Sequence, residues 1–359
     1  MSLSPSFLSI YVFVNILAGL FFALGLGVLA ISFSRRLGLM DMPGALPHKS
    51  HTSPTPLAGG LTLVLALLSG LLLLNHGLFR SLWGVILPAL IVFGVGLWDD
   101  FRRLPAGVKL LGQVVASILL IAFGTYVRVL KPEATGLPSE LALLLNWGIT
   151  IFWVVGITNA FNLLDNMDGL SAGVAFVASL VLLVNAWILG EFFISLVLVA
   201  LMGSLLGFLV YNFHPASIFL GDCGSLFIGF TLASLTLLQR YVSHASSTLF
   251  PVLMPVLVLA LPILDTATVT FIRLREGRPI YVGDSRHLSH RLVSLGMRPP
   301  LAVFTIYLVS LGIGLGAVGL AHADLVHALL ILVQALAVVA VVLILLFYER
   351  RAQPRGEEP

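Results

Sequence analysis

Charge is what this chain has least of: only 10% of its 359 residues are Asp, Glu, Lys or Arg. A soluble domain carries about 25% charged residues, so a water-soluble globular core is excluded. Cysteine is nearly absent, and the single Cys223 rules out an intrachain disulfide while saying nothing about redox compartment. Linker-like runs, low-complexity blocks and obvious internal repeats are missing too, which argues against several domains strung together.

What fills the chain instead is apolar: 59% of residues are hydrophobic and the mean hydropathy is +1.08. A helix needs roughly 20 mostly apolar residues to cross a hydrocarbon layer. Eleven stretches qualify, near 7–31, 59–75, 82–98, 108–128, 142–158, 170–189, 191–212, 219–238, 250–272, 301–321 and 326–348. The first is too long for a signal-peptide core and lacks a basic start, so it counts as a span. The expected fold class is an all-α polytopic membrane protein of about eleven transmembrane helices. One catalytic membrane domain is expected over residues 1–350, with a short cytoplasmic tail at 351–359.

Basic residues set the orientation. With eleven spans, the loops of one face hold 15 of the 19 Lys and Arg residues. The other face holds Arg80, Arg128, Lys131 and Arg240. The positive-inside rule makes the rich face cytoplasmic. The reading is a multi-pass protein of the inner (plasma) membrane, N-terminus outside and C-terminus cytoplasmic.

Ionisable groups beside spans are costly and mark function, and here they gather in five segments of the basic face. The first, DMPGALPHKSHTSPTPLAGG, is a proline-punctuated re-entry loop centred on His48, Lys49 and His51. Lys49 is a point-charge partner for phosphate. The second, GLWDDFRRLPAGVKLLGQ, ends a span on Asp99 and Asp100, against the helix dipole. Arg102 and Arg103 or a divalent cation should compensate, and Lys109 can snorkel back to the same face. The third, NAFNLLDNMDGLSAG, spaces Asn159, Asn162, Asp165 and Asp168 three apart. That spacing drifts about 60° per step on a straight helix, so the segment must break, with Asn166 and Gly169 as the expected place. The set suits a metal or a nucleotide. In the fourth, HPASIFLGDCGSLFIGF, Asp222 lies between glycines at a helix N-terminus, an anion and Mg²⁺ site or a plain helix cap. The fifth, REGRPIYVGDSRHLSHRL, puts His287 and His290 three apart, beside Arg286 and Arg291.

Deeper in the membrane only Asp265 stands out, about 10 Å of helix from the cytoplasmic boundary. It either reaches the face or caps a helix broken after Pro262, and reads as a shallow supporting site. A transporter should carry midplane charges and internal repeats, and the sequence shows neither. Hard oxygen ligands with Lys, Arg and His suit Mg²⁺ or Mn²⁺ and phosphates, which is most of what phosphoryl transfer asks of a protein.

In order and over nearly the whole chain, these segments resemble the polyprenyl-phosphate N-acetylhexosamine-1-phosphate transferase family. HTSPTPLAGG, WDDFRRLPAGVKLLGQ, NAFNLLDNMDGLSAG, FLGDCGSLFIGF and DSRHLSHRL each resemble a family motif. The resemblance implies Mg²⁺-dependent transfer of a sugar 1-phosphate from a UDP-sugar to polyprenyl phosphate, releasing UMP. It casts Asp99 and Asp100 as the adjacent catalytic aspartates and Asp222, with Asn162, as the metal site. Lys49, Lys109, Asn159, Asn162, Asp165, Asp168 and Arg291 become substrate-binding, and His287 and His290 catalytic. Whether an aspartate is base, ligand or nucleophile stays open. Ser289 stands where the GlcNAc-type branch carries a further histidine, and Cys223 where Ser or Thr is commoner. UDP-GlcNAc is favoured, with UDP-MurNAc-pentapeptide or another UDP-N-acetylsugar as alternatives. The implied partners are UDP-sugar, polyprenyl phosphate and the bilayer, without nucleic acid; a homodimer is left open.

Overall fold

A computed structural model describes residues 5–42, 54–74, 82–241, 249–278 and 286–352, with side chains from 10 to 344 apart from 73 and 74. In hydrocarbon every backbone N–H and C=O must be paired within its own segment, and apolar runs of this length accordingly form helices. Among the described residues the strands are two residues each, β1 (Met40–Asp41) antiparallel to β2 (Thr55–Pro56). Among the described residues eight helices are long and apolar enough to span, or up to nine with a bent pair counted as one span, and two shorter apolar helices complete the set. Each of the eleven expected spans thus has a counterpart in an all-α polytopic membrane protein.

The chain divides into two compact units, Met1–Arg240 and Tyr241–Pro359. The first holds α1 (Pro5–Leu37), α2 (Gly59–Leu74), α3 (Trp83–Phe101), α4 (Ala106–Ala122) and the single turn α5 (Pro132–Thr135). It continues with α6 (Ser139–Leu164), α7 (Leu170–Ile188), α8 (Phe192–Asn212) and α9 (Gly221–Leu238). Helix α9 is the core of this unit, packed by α2, α3, α6 and α7. Its apolar window is 83% buried against 22% for α1, so α9 meets protein and α1 meets lipid. Close packing in a membrane rests on small residues. A Cβ at Gly96 of α3 would lie 2.6 Å from the Cys223 Cα of α9, so only glycine permits that crossing.

Three boundaries depart from the apolar runs, each for a local reason. Helix α1 continues to Leu37, because Arg35 and Arg36 in its last turn suit the negative end of the dipole. Helix α4 stops at Ala122; the chain turns at Gly124 (φ +88°) and is then caught by α6. There Val127 N–H donates to Thr150 Oγ1 (2.9 Å) and Leu130 N–H to Asn146 Oδ1 (3.1 Å). Helix α6 runs on to Leu164, which puts Asn159 and Asn162 on a helix rather than in a loop.

The second unit opens with a 3₁₀ turn, Phe250–Leu253, then α10 (Met254–Val258), α11 (Ala260–Arg275), α12 (Leu288–Ser294), α13 (Pro299–Val318) and α14 (Leu325–Ala352). Helix α13 is its hub, packed by α10, α11, α12 and α14. The expected break lies before Pro262, not after it: the chain bends 69° between Val258 and Ala260. Pro262 sits in the first turn of α11, where a missing N–H leaves no bond unmade.

Candidate active site

The site is built where six helix ends of the first unit meet: the C-termini of α3, α6 and α8 and the N-termini of α4, α7 and α9. Polar residues at these ends bond across segments far apart in sequence.

Asp99 and Asp100 sit in the last turn of α3, and their carboxylates part company there. Asp99 accepts the Leu104 N–H (2.5 Å) across the Pro105 turn and the Lys109 ammonium (3.1 Å) from α4. Asp100 accepts the backbone N–H groups of Asp222 (2.8 Å) and Cys223 (3.1 Å). A helix leaves its first N–H groups without intrahelical partners, and in α9 two of these are satisfied by Asp100 from another helix. Asp222 is therefore not the cap of its own helix. Its carboxylate turns to Lys109 Nζ at 2.7 Å. Gly221, at φ +74°, makes the approach possible, because a Cβ there would meet Asp100 Oδ2 at 2.8 Å. The charge of the aspartate pair is thus compensated by Lys109 and the α9 N-terminus, while Arg102 and Arg103 are exposed.

The evenly spaced third segment is shared out among its neighbours. Asn159 exchanges hydrogen bonds with Gln113 of α4 (2.5 and 3.3 Å). Asn162 donates to Ser225 Oγ of α9 (3.0 Å), leaving Oδ1 as the amide's acceptor. The helix ends at Asp165, and the chain reverses at Gly169 (φ +75°), the expected break. Asp168 holds the turn before α9, accepting from Ala216 N–H (3.1 Å) and meeting His214 Nδ1 (2.9 Å). Asp165 has no hydrogen-bond or ion-pair partner among the described residues. Burial pushes its carboxyl well above the usual carboxylate range, and the charges of Asp222, Asp100 and Asp168 push the same way.

Asp99, Asp100, Lys109, Asn159, Asn162, Asp165, Asp168 and Asp222 are thus brought together at one end of the first unit. Lys49 lies outside the described residues. His287, His290 and Arg291 belong to the second unit. There His287 and Arg291 are buried and His290 is half-buried. Gln113, Ser225 and His214 are additional members of the network that sequence reasoning passed over. Gln113 had a signal, since it lies one turn after Lys109 and shares its inward face. His214 had none, because its link to Asp168 exists only once α7 and α8 are packed.

No group of three or more His, Cys, Asp or Glu side chains among the described residues is arranged as a metal cage. The donor set nevertheless fits a hard divalent cation. Two carboxylates, Asp99 and Asp222, already close on one cation, the Lys109 ammonium. Asp165 adds a carboxylate in a field of negative charge with no cation of its own. Oxygen donors of this kind suit Mg²⁺.

Known proteins share these segments. The glycosyl transferase family 4 profile matches residues 82–239, which carry every residue of the cluster just described. The probable undecaprenyl-phosphate N-acetylglucosaminyl 1-phosphate transferase of Bacillus subtilis is 34% identical over 301 residues, 83% of this chain and 81% of that protein. The decaprenyl-phosphate N-acetylglucosaminephosphotransferase of Mycolicibacterium smegmatis is 33% identical over 86% of this chain and 82% of its own. The phospho-N-acetylmuramoyl-pentapeptide-transferase of Levilactobacillus brevis is 35% identical over a shorter stretch, 53% of this chain and 63% of its own. On this breadth of identity the chain belongs to the glycosyl transferase family 4 membrane enzymes, the polyprenyl-phosphate N-acetylhexosamine-1-phosphate transferases that its motifs resemble.

Proposed function

We propose that this protein transfers GlcNAc 1-phosphate from UDP-GlcNAc to a polyprenyl phosphate at the cytoplasmic face, with Mg²⁺ as its cofactor. The observation that carries the reading is the Lys109 ammonium held between Asp99 and Asp222, a cation between carboxylates at a helix N-terminus. Such a centre is suited to a pyrophosphate and its counter-ion. Relatives named for GlcNAc transfer align over about four fifths of this chain, against about half for those named for MurNAc-pentapeptide. This favours the GlcNAc substrate.

The carrier phosphate would attack the β-phosphorus of the UDP-sugar. A phosphorus–oxygen bond forms to the carrier, the bridging bond to the α-phosphate breaks, and UMP leaves. A phosphate monoester has a second pKa of about 6, so the nucleophile is largely ionised at neutral pH and needs no strong base. Asp100 has its oxygens on two backbone N–H groups, which suits it to fixing Asp222. Asp222, Asp99, Asp165 and the Asn162 carbonyl would hold the divalent cation. Bound there, it would offset the charge developing on the pyrophosphate. Lys109, displaced from the carboxylates, would become a phosphate partner.

The test is UMP release by purified protein with Mg²⁺, undecaprenyl phosphate and either UDP-GlcNAc or UDP-MurNAc-pentapeptide. UMP is expected with UDP-GlcNAc alone and only with divalent cation, and Asp222→Ala should abolish it in a protein that stays folded in detergent. UMP with the peptide substrate alone would keep the chemistry and overturn the sugar. Full activity in Asp222→Ala would overturn the site.

A further inference from the structure

Asp265 is a carboxylate buried within α11 of the second unit, and the transfer chemistry leaves it without a task. A buried carboxylate is costly unless hydrogen-bonded. Asp265 is 3% exposed and has two partners from beyond its own helix. Oδ2 lies 2.7 Å from His287 Nδ1, and Oδ1 accepts the Leu288 N–H at 2.7 Å. Leu288 is the first residue of α12, so Asp265 satisfies one of that helix's unpaired N–H groups from α11. His287, in extended conformation just before the helix, makes no cap bond of its own.

A carboxylate only accepts, so the His287 nitrogen facing it carries the proton. The ring is buried, with its side chain 4% exposed. A second tie lies close by: Arg286 donates from one nitrogen to both oxygens of Glu276, at 2.7 and 2.6 Å. The residues just after α11 and just before α12 are therefore tied to each other, with His287 buried beside them. His290, one turn on, is half-buried.

We propose that Asp265 and His287 are positioning residues, a latch that sets the register of α12, the short helix that carries His290 and Arg291, through His287 Nδ1. The proposal rests on the transferase reading above.

Asparagine and glutamine separate the two ring nitrogens of a histidine. The Asn amide N–H lies near the place of Nδ1–H, and that of Gln near Nε2–H. In the full-length protein, His287→Asn should keep kcat/KM within about threefold of wild type, while His287→Gln and Asp265→Ala each lose about thirtyfold or more. Asp265→Ala added to His290→Ala should cost little beyond His290→Ala, because residues acting as one unit are not additive. The opposite pattern, His287→Gln active and His287→Asn dead, would overturn the latch and put His287 Nε2 on the substrate. Unchanged kinetics in Asp265→Ala would overturn it as well. Thermal unfolding of Asp265→Ala, His287→Ala and the double variant measures the latch without any substrate. Strong coupling there with no UMP release from wild type would sink the transferase reading and leave the latch standing, and additive unfolding shifts would sink the latch.

Discussion

At the scale of single residues, Lys109 carries more of the site than its place in the sequence suggests. From sequence it is a basic residue at the head of a span, one of many near the cytoplasmic face. In the fold its ammonium is 3.1 Å from Asp99 and 2.7 Å from Asp222, joining α3, α4 and α9 at one point. Removing it leaves two carboxylates facing each other with no charge between them. Lys109→Met should therefore lower turnover by about 100- to 1,000-fold, the usual cost of deleting one preorganised electrostatic group. Its melting temperature should rise more steeply on Mg²⁺ addition than that of wild type, because the ion meets no resident competitor. A thermal-shift titration with Mg²⁺ checks this, and equal slopes for the two proteins would refute the competition. The aspartates were legible in sequence because charge at a span's end demands an explanation. Their separate partners were not, since adjacent residues on a helix diverge by about 100° and only the packed neighbours decide what each one meets.

At the scale of elements, the N-terminus of α9 is the part most exposed to failure. Three features hold it: the Asp100 carboxylate on two of its N–H groups, the positive φ of Gly221, and the close passage of Gly96. A non-glycine residue in the left-handed region costs roughly 1–2 kcal/mol, and the Cβ at Gly221 would also collide with Asp100. Gly221→Ala should thus unfold at lower temperature and lose most transfer activity, although no substrate-directed group has been touched. Asp100→Asn, which keeps one acceptor for the same N–H groups, should be milder in stability than Asp100→Ala, which leaves buried donors unpaired at about 1–3 kcal/mol. Melting curves of the three variants in one detergent rank them. An Asp100→Ala protein as stable as wild type would remove the capping role. Element order and type were readable from apolar run lengths, because hydrocarbon forbids anything but paired backbone. The bend at Leu259 and the early stop of α4 were not. The first depends on how α10 and α11 pack on α13, and the second on hydrogen bonds from Thr150 and Asn146, residues of a different helix.

At the scale of the whole molecule, orientation across the bilayer decides whether a cytoplasmic nucleotide sugar can reach the carboxylates. The bias of 15 basic residues to 4 was read from sequence, and it predicts that the α3–α4 connection lies inside and the α4–α6 connection outside. One accident of composition makes this testable with little disturbance. The only cysteine, Cys223, is fully buried against α3, so Cys223→Ser gives a cysteine-free background at the cost of one sulfur. Arg103, beside the site, and Arg128, stacked on Tyr126 at 4.8 Å, are both exposed and lie at opposite ends of α4. Arg103→Cys should react with a membrane-impermeant maleimide only in inside-out vesicles, and Arg128→Cys only in right-side-out ones. The reverse pattern would turn the carboxylate cluster away from its nucleotide substrate, and the cytoplasmic assignment would fall with it. The charge bias would then report insertion history rather than the side on which the chemistry is done.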